Sequence, residues 1–292
     1  MQKNLFKPSH LKELCKKYNL SPSKKYGQNY LISEGVIDKI IIGAELKKTD
    51  TVIEIGPGFG VLTFALAEKV KKVVAFEIEQ KLRDYWEESK PNNLDIVWGN
   101  VLSHITYHIS HITSYKVVAN IPYQITSNIL RTLLEAENKP ESITVMVQKE
   151  VAERICAKPG DMSLLAISVQ YYGEPKIVAR VSKGNFWPSP KVDSAVLHIN
   201  TRPVSASKHP ACVGLKTRKH ENTYEFDELF FEVVKAGFKN KRKQVWRNLS
   251  EGLGLDGGEV KRVLINVVGN EKVRAEDLSV VQWRNIVKYI YG

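Results

Sequence analysis

Asn120-Ile121-Pro122-Tyr123 brings an amide, a proline-stiffened turn and an aromatic face to one point of the chain. It follows the apolar run Val117-Val118-Ala119, which reads as a buried strand, so the tetrapeptide falls at a strand's carboxyl end. Open α/β sheets bind their ligands there. The Asn120 amide oxygen and the Ile121 carbonyl can both accept hydrogen bonds from an exocyclic amine on a planar base. Pro122 stiffens the turn, and Tyr123 offers a face for stacking. Such an amine is a poor nucleophile because its lone pair is delocalised into the ring. Accepting its hydrogens localises and orients that pair, so the work is positioning and electrostatics rather than strong base catalysis. A base inside a helix cannot reach such a pocket, so the target is unpaired or flipped out.

A second aromatic face would complete a clamp on the base. Phe186 is the candidate, in the proline-rich segment from Gly184 to Ser194, with Trp187 as the competing choice. Upstream, Glu54-Ile55-Gly56-Pro57-Gly58-Phe59-Gly60 reads as strand end, tight turn and helix start. A dinucleotide fingerprint would need glycine at 61, and Val61 stands there. Glu54 would also repel a pyrophosphate. It suits a cationic ligand, such as the sulfonium and ammonium of S-adenosylmethionine. Glu77 ends the next strand and is placed to accept ribose hydroxyls; Asn100, followed by Val101, comes after the third and is placed to meet an adenine edge.

These residues need a parallel sheet to gather them. Strands are expected at 51–55, 73–77, 94–98, 116–119, 143–148, 176–181 and 194–199, with helical patterns at 61–70, 80–89 and 126–137. The rhythm is that of a doubly wound α/β sheet. Residues 201–225 are polar and read as a linker. Phe226, Leu229, Phe230, Val233, Val234 and Phe238 then form a helical stripe. The expected division is 1–200 for the sheet domain with a basic N-terminal arm, and 226–292 for a small helical domain.

The 292 residues carry a formal net charge of +11, which points to a polyanionic partner. The charge is concentrated. Lys3, Lys7, Lys12, Lys16, Lys17, Lys24 and Lys25 face only Glu13 in the first thirty residues. Lys235, Lys239, Lys241, Arg242, Lys243 and Arg247 lie in a stretch without any acid. Cys15, Cys156 and Cys212 are far apart, which argues against a disulfide framework and for a reducing, cytoplasmic setting. No apolar run approaches the roughly 18 residues of a membrane span, and the N-terminus lacks the features of a targeting peptide. His104, His108 and His111 have helix-like spacing but no acidic or cysteine partner, so no metal site is expected; they read as an exposed insertion before the fourth strand.

Taken together, several segments resemble the ribosomal RNA adenine N6,N6-dimethyltransferase family that acts on the small subunit. They are Gly27-Gln28-Asn29-Tyr30-Leu31, the Glu54–Gly60 loop, Asn120–Tyr123, Phe186–Ser194, Gly237–Lys243 and Arg274–Ser279. The resemblance implies a Rossmann-like class I methyltransferase sheet, mostly parallel with its last strand antiparallel, followed by an all-helical C-terminal domain. It implies S-adenosylmethionine as methyl donor and dimethylation of two adjacent adenines in a hairpin near the 3′ end of small-subunit rRNA. The expected partner is that rRNA or the assembling small subunit, met by a monomer without membrane contact. The catalytic set is Asn120, Ile121, Pro122, Tyr123 and Phe186. The cofactor set is Asn29, Leu31, Gly56, Gly58, Glu77, Asn100, Val101 and Asn120. Lys241, Arg242, Lys243 and Arg247 are expected on the RNA backbone. The chain departs from the family pattern at Asn100, where aspartate is usual, and at Gln124, where asparagine is usual. Rival readings are the antibiotic-resistance relative that methylates large-subunit rRNA, a DNA adenine methyltransferase, and a non-catalytic factor on the same scaffold.

Overall fold

The computed structural model describes residues 3–22, 28–201 and 223–292. The expected linker, apart from its ends, therefore lies outside the described residues, with Lys208, Cys212, Lys216, Arg218 and Lys219; so do Lys24, Lys25 and Gly27. The chain divides into two compact units, Met1–Glu153 with Gly173–Pro203, and Arg154–Tyr172 with Val204–Gly292.

Among the described residues the first unit is built on nine strands: β1 (Tyr30–Leu31), β2 (Thr51–Ile55), β3 (Lys72–Glu77), β4 (Leu94–Trp98), β5 (Lys116–Asn120), β6 (Ser142–Gln148), β7 (Gly173–Val181), β8 (Phe186–Trp187) and β9 (Ser194–Thr201). Seven of them form one sheet in the order β4-β3-β2-β5-β6-β9-β7. The first five in that order are parallel, and β9 runs antiparallel to both of its neighbours. Val117, Val118 and Ala119 are all fully buried, so β5 is covered on both faces, as a parallel strand must be. Its helices are α1 (Pro8–Lys17), α2 (Glu34–Gly43), α3 (Val61–Ala67), α4 (Arg83–Ser89), α5 (Val101–Ser110), α6 (Thr126–Glu135) and, at its border with the second unit, α7 (Lys149–Ile155). The chain leaves β2 toward β3 and β4, then returns to β5 on the other side of β2. That reversal makes a crevice at the carboxyl ends of β2 and β5.

His104 and His111 are exposed, as expected, and the segment that carries them is the helix α5 with His111 at its end. Ile105 and Ile109, four apart, are buried on its inner face, and His108 lies edge-on to Phe76 at 5.4 Å. The interspersed polar histidines hid an apolar face made of Val101, Ile105 and Ile109. Among the described residues no group of three His, Cys, Asp or Glu side chains is arranged to hold a metal. No helix among them is long and apolar enough to cross a membrane.

The second unit contains α8 (Leu164–Tyr172), α9 (Thr223–Gly237), α10 (Val245–Leu253), α11 (Gly257–Val268) and α12 (Val280–Tyr291). The stripe read from sequence faces inward: Phe230, Val233 and Val234 join Val245, Leu249, Leu264 and Trp283 in one core. Gly237 is needed where α9 meets Trp283, since a Cβ there would lie 2.3 Å from the indole. The sheet unit ends at Pro203, close to the expected boundary at residue 200, but one earlier segment falls on the other side. Residues 154–172 interrupt the sheet domain in sequence yet belong to the helical unit, because Ala166, Ile167 and Tyr171 bury themselves in its core, with Tyr171 stacked on Phe230 at 4.2 Å.

Candidate active site

The loop after β2 carries three glycines with positive φ: Gly56 at 73°, Gly58 at 56° and Gly60 at 86°. Side chains would strain all three, and at Gly60 a Cβ would also strike Phe64 and Trp86 within 2.7 Å. The loop is held from α4, where Trp86 Nε1 donates to the Gly58 carbonyl at 3.0 Å and Tyr85 Oη donates to the Phe59 carbonyl at 2.8 Å. Its shape is thus fixed in advance of any ligand.

Glu77 closes the loop from the end of β3. One carboxylate oxygen accepts from the Gly58 N–H at 3.0 Å and the other from the Glu79 N–H at 2.8 Å. Burial raises its pKa, and these backbone donors pull the other way. The Ile78 N–H is a third backbone donor to it, and the carboxylate keeps lone-pair capacity for a hydroxyl donor. Glu54, one strand over, is 1% exposed, and burial lifts its pKa to about 8. The Thr63 hydroxyl nearby lowers it only in part. Glu54 Oε2 is buried without a hydrogen bond of good geometry to any described residue, although Glu54 lines the cleft. A buried acceptor left unpaired at a cleft wall is complementary to a cationic ligand.

Asn120 ends β5, and its Nδ2 donates to the Asn29 carbonyl at 3.3 Å. With the amide's donor side turned to the backbone, Oδ1 is the atom left to accept from an amine. Ile121 is buried, Pro122 sets the turn, and Tyr123 opens a short 3₁₀ turn before α6. The Tyr123 and Ser194 hydroxyl oxygens are 2.7 Å apart. Burial raises the Tyr123 pKa, so the phenol is neutral at ordinary pH.

One cleft is lined by Asn29, Leu31, Gly56, Gly58, Glu77, Asn120, Ile121, Pro122 and Tyr123, together with Glu54. Three expected residues are not among its lining. Phe186 pairs with Leu31 in the β1–β8 ladder and is packed among hydrophobic neighbours in the core at 3% exposure. Trp187, the competing choice, stacks on Tyr30 with ring centroids 6.2 Å apart. Asn100 is exposed and spends its Oδ1 on the Leu102 N–H at 3.1 Å, capping α5, while Val101 is buried beneath it. Sequence reasoning had missed Tyr30 and Ile78 in the lining and Ser194 behind Tyr123. Ile78 follows Glu77 directly, and Tyr30 lies between Asn29 and Leu31, so a strand-end reading extended by one residue finds both.

In the second unit Lys241, Arg242 and Arg247 are exposed. Lys243 forms an ion pair with Glu251 at 2.9 Å, and Lys241 lies 3.9 Å from Glu276. The Arg247 guanidinium sits over the Trp246 ring, 5.1 Å from its centroid.

A sheet of this strand order, with a glycine loop after its first parallel strand and a carboxylate ending the second, defines a class I methyltransferase. Residues 19–291 match the family described as ribosomal RNA adenine dimethylase. The chain is 41% identical to a ribosomal RNA small subunit methyltransferase A of Dehalococcoides mccartyi, over 94% of this chain and 90% of the relative. It is 37% identical to the protein of the same name in Bacillus pumilus, covering 98% and 97% of the two chains. The protein belongs to the ribosomal RNA adenine dimethylase family. A solved dimethyladenosine transferase from Plasmodium falciparum shares the fold at a TM-score of 0.68 and 23% identity, covering 88% of this chain and 95% of that one. The 23S rRNA methyltransferase ErmE matches at 0.67 and 25%, covering 89% and 98%.

Proposed function

We propose that the protein uses S-adenosylmethionine to dimethylate the N6 amine of two adjacent adenines in a hairpin near the 3′ end of small-subunit rRNA. It would do so as a cytoplasmic monomer acting on the assembling subunit. The observation that carries this reading is Asn120, its donor turned to the Asn29 carbonyl and its acceptor left for an amine beside Tyr123. The cofactor fits the cleft: Glu54 offers the unpaired buried oxygen that a cationic donor would satisfy, and Glu77 is held by backbone N–H groups beside the glycine loop. Asn29, Leu31, Gly56, Gly58 and Glu77 would hold it. When bound, it supplies an electrophilic methyl group on a sulfonium.

Asn120 Oδ1 and the Ile121 carbonyl would accept the amine's hydrogens and aim its lone pair. Tyr123 would lie against the base and restrict its orientation. The amine's proton leaves late, to water, so no His–carboxylate pair is required. Lys241, Arg242, Lys243 and Arg247 would meet rRNA phosphates.

The test is methylation of undermethylated small subunits with labelled donor, and then mapping of the modified positions. Label at two adjacent adenines of small-subunit rRNA is the expected result. Label confined to large-subunit rRNA or DNA would transfer the chemistry to another substrate, and a folded protein that binds no labelled donor would sink the enzyme reading. Replacing Lys241, Arg242 and Lys243 together by alanine should weaken RNA binding and flatten its dependence on salt concentration; an unchanged slope removes them from the interface.

A further inference from the structure

Tyr123 and Ser194 are separated by 71 positions, and their hydroxyl oxygens meet at 2.7 Å. Ser194 is a fixed point. It is fully buried, it opens β9, and it pairs with Gln148 of β6 on one side and Val181 of β7 on the other. The preceding Asp193 is tied twice: its carbonyl accepts from the Lys149 N–H at 3.0 Å, and its carboxylate accepts from the Lys183 N–H at 2.9 Å. Tyr123 stands on a contrasting support. It begins a three-residue 3₁₀ turn with no buried residue. Such a turn defines where the Cα lies much better than it defines the plane of the ring. The hydroxyl contact supplies the missing restraint, linking the tip of the ring to the sheet.

We propose that Ser194 is a positioning residue for methyl transfer, holding the Tyr123 ring at the angle at which its face meets the target base. The proposal rests on the function above and adds a residue to it. It also gives the Tyr123 hydroxyl a mechanical role: the group serves as an anchor and takes no proton from the amine. The raised pKa of this phenol agrees with that, because a neutral phenol is a poor proton acceptor.

The experiment compares Ser194→Ala, Tyr123→Phe and the double variant in labelled methyl transfer to undermethylated small subunits. Each single variant should lower kcat about threefold to tenfold, the loss of one neutral hydrogen bond. Donor affinity and the shape of the pH–rate profile should stay near wild type, and the thermal midpoint should fall by no more than roughly 2 to 4 °C, the cost of one hydrogen bond. The double variant should be no worse than the poorer single variant, because both remove the same contact. Ser194→Thr, which keeps the hydroxyl, should recover part of the rate. Wild-type kcat in Ser194→Ala, or losses that multiply in the double variant, would overturn the proposal. So would a loss in Tyr123→Phe far beyond that in Ser194→Ala with a changed pH profile, which would make the hydroxyl chemical. If Ser194→Ala fails to fold, Tyr123→Phe, at a half-buried position, decides: a threefold to tenfold loss with an unchanged pH profile supports the anchor, and wild-type kcat or a changed profile overturns it. A wild-type protein inactive on these subunits would count against the proposed substrate, whereas an active wild type with an indifferent Ser194 would count against this inference only.

Discussion

Asn120 and Asn100 occupy similar places, each at the carboxyl end of a parallel strand, and their amides are turned opposite ways. Asn120 gives its N–H to the Asn29 carbonyl and keeps its oxygen for the cleft. Asn100 gives its oxygen to the Leu102 N–H and sits exposed. The difference lies in the backbone immediately after each of them. Beyond β4 a helix begins at once with Val101, and its first turn has orphan N–H groups that need an acceptor. Beyond β5 comes Pro122, which has no N–H, and α6 starts only at Thr126. The proline-led turn relieves Asn120 of capping, so its oxygen is left for chemistry. One residue type at one sheet edge thus does two jobs, chosen by the local backbone.

The sharpest way to break this contrast is Asn120→Ala. Removing the acceptor should lower kcat by about 10² to 10³, the usual cost of one transition-state hydrogen-bonding group, with the fold intact. Labelled methyl transfer alongside a thermal melt measures it, and near-full turnover would end the assignment. Asn120→Asp keeps an oxygen but loses the donor to Asn29, so it should fall between alanine and wild type.

Glu77 extends the comparison to the strand between them. Its two oxygens hold the backbone N–H groups of Gly58, in the cleft wall, and of Glu79, so Glu77→Ala should weaken donor binding about tenfold to a hundredfold by calorimetry. An affinity within twofold of wild type would mean that Glu77 only shapes the loop.

Glu54 gives a smaller effect, legible in its pH dependence. Its folded pKa of about 8 stands above the ordinary 4.5. Between those values the folded protein holds a proton that the unfolded chain has released, so stability should fall as pH rises through this window. Affinity for a cationic donor should move the other way, rising severalfold from pH 6.5 to 8.5 as Glu54 ionises. Glu54→Gln should flatten both trends relative to wild type. If the two proteins share one pH profile, the unpaired oxygen does not face the sulfonium or ammonium.

Legibility in the sequence obeys the same logic as these asparagines. Strand ends were legible because apolar runs stop abruptly at Gly56, Glu77 and Asn120, and the Gly56–Gly60 loop announces its backbone by composition. Contacts between distant segments were not. Nothing local in Ser194 says that its hydroxyl meets Tyr123, and nothing in Asn29 says that its carbonyl turns the Asn120 amide. Phe186, buried and outside the cleft lining, illustrates a related limit. Its motif marks a rigid loop, but the β1–β8 pairing decides which way the ring points, and that pairing joins segments far apart in the chain. Residues 154–172 went to the wrong side of the boundary because apolar spacing shows that a face is buried without naming the core that buries it.

Asn100 supplies the mildest and most discriminating test. Because its oxygen caps α5, Asn100→Ala should cost about 1 kcal/mol, or roughly 2 to 4 °C in thermal midpoint. Asn100→Asp keeps the cap and adds a charge favoured at a helix N-terminus, so it should be neutral or stabilising by about 0.3 to 1 kcal/mol. Donor affinity should stay within a few fold in both, since the side chain is outside the cleft lining. The opposite pattern, a tenfold loss in Asn100→Ala with recovery in Asn100→Asp, would mean that the oxygen's second lone pair reaches the donor's adenine. The two asparagines would then differ in degree, with Asn100 capping a helix and contacting the cofactor through one atom.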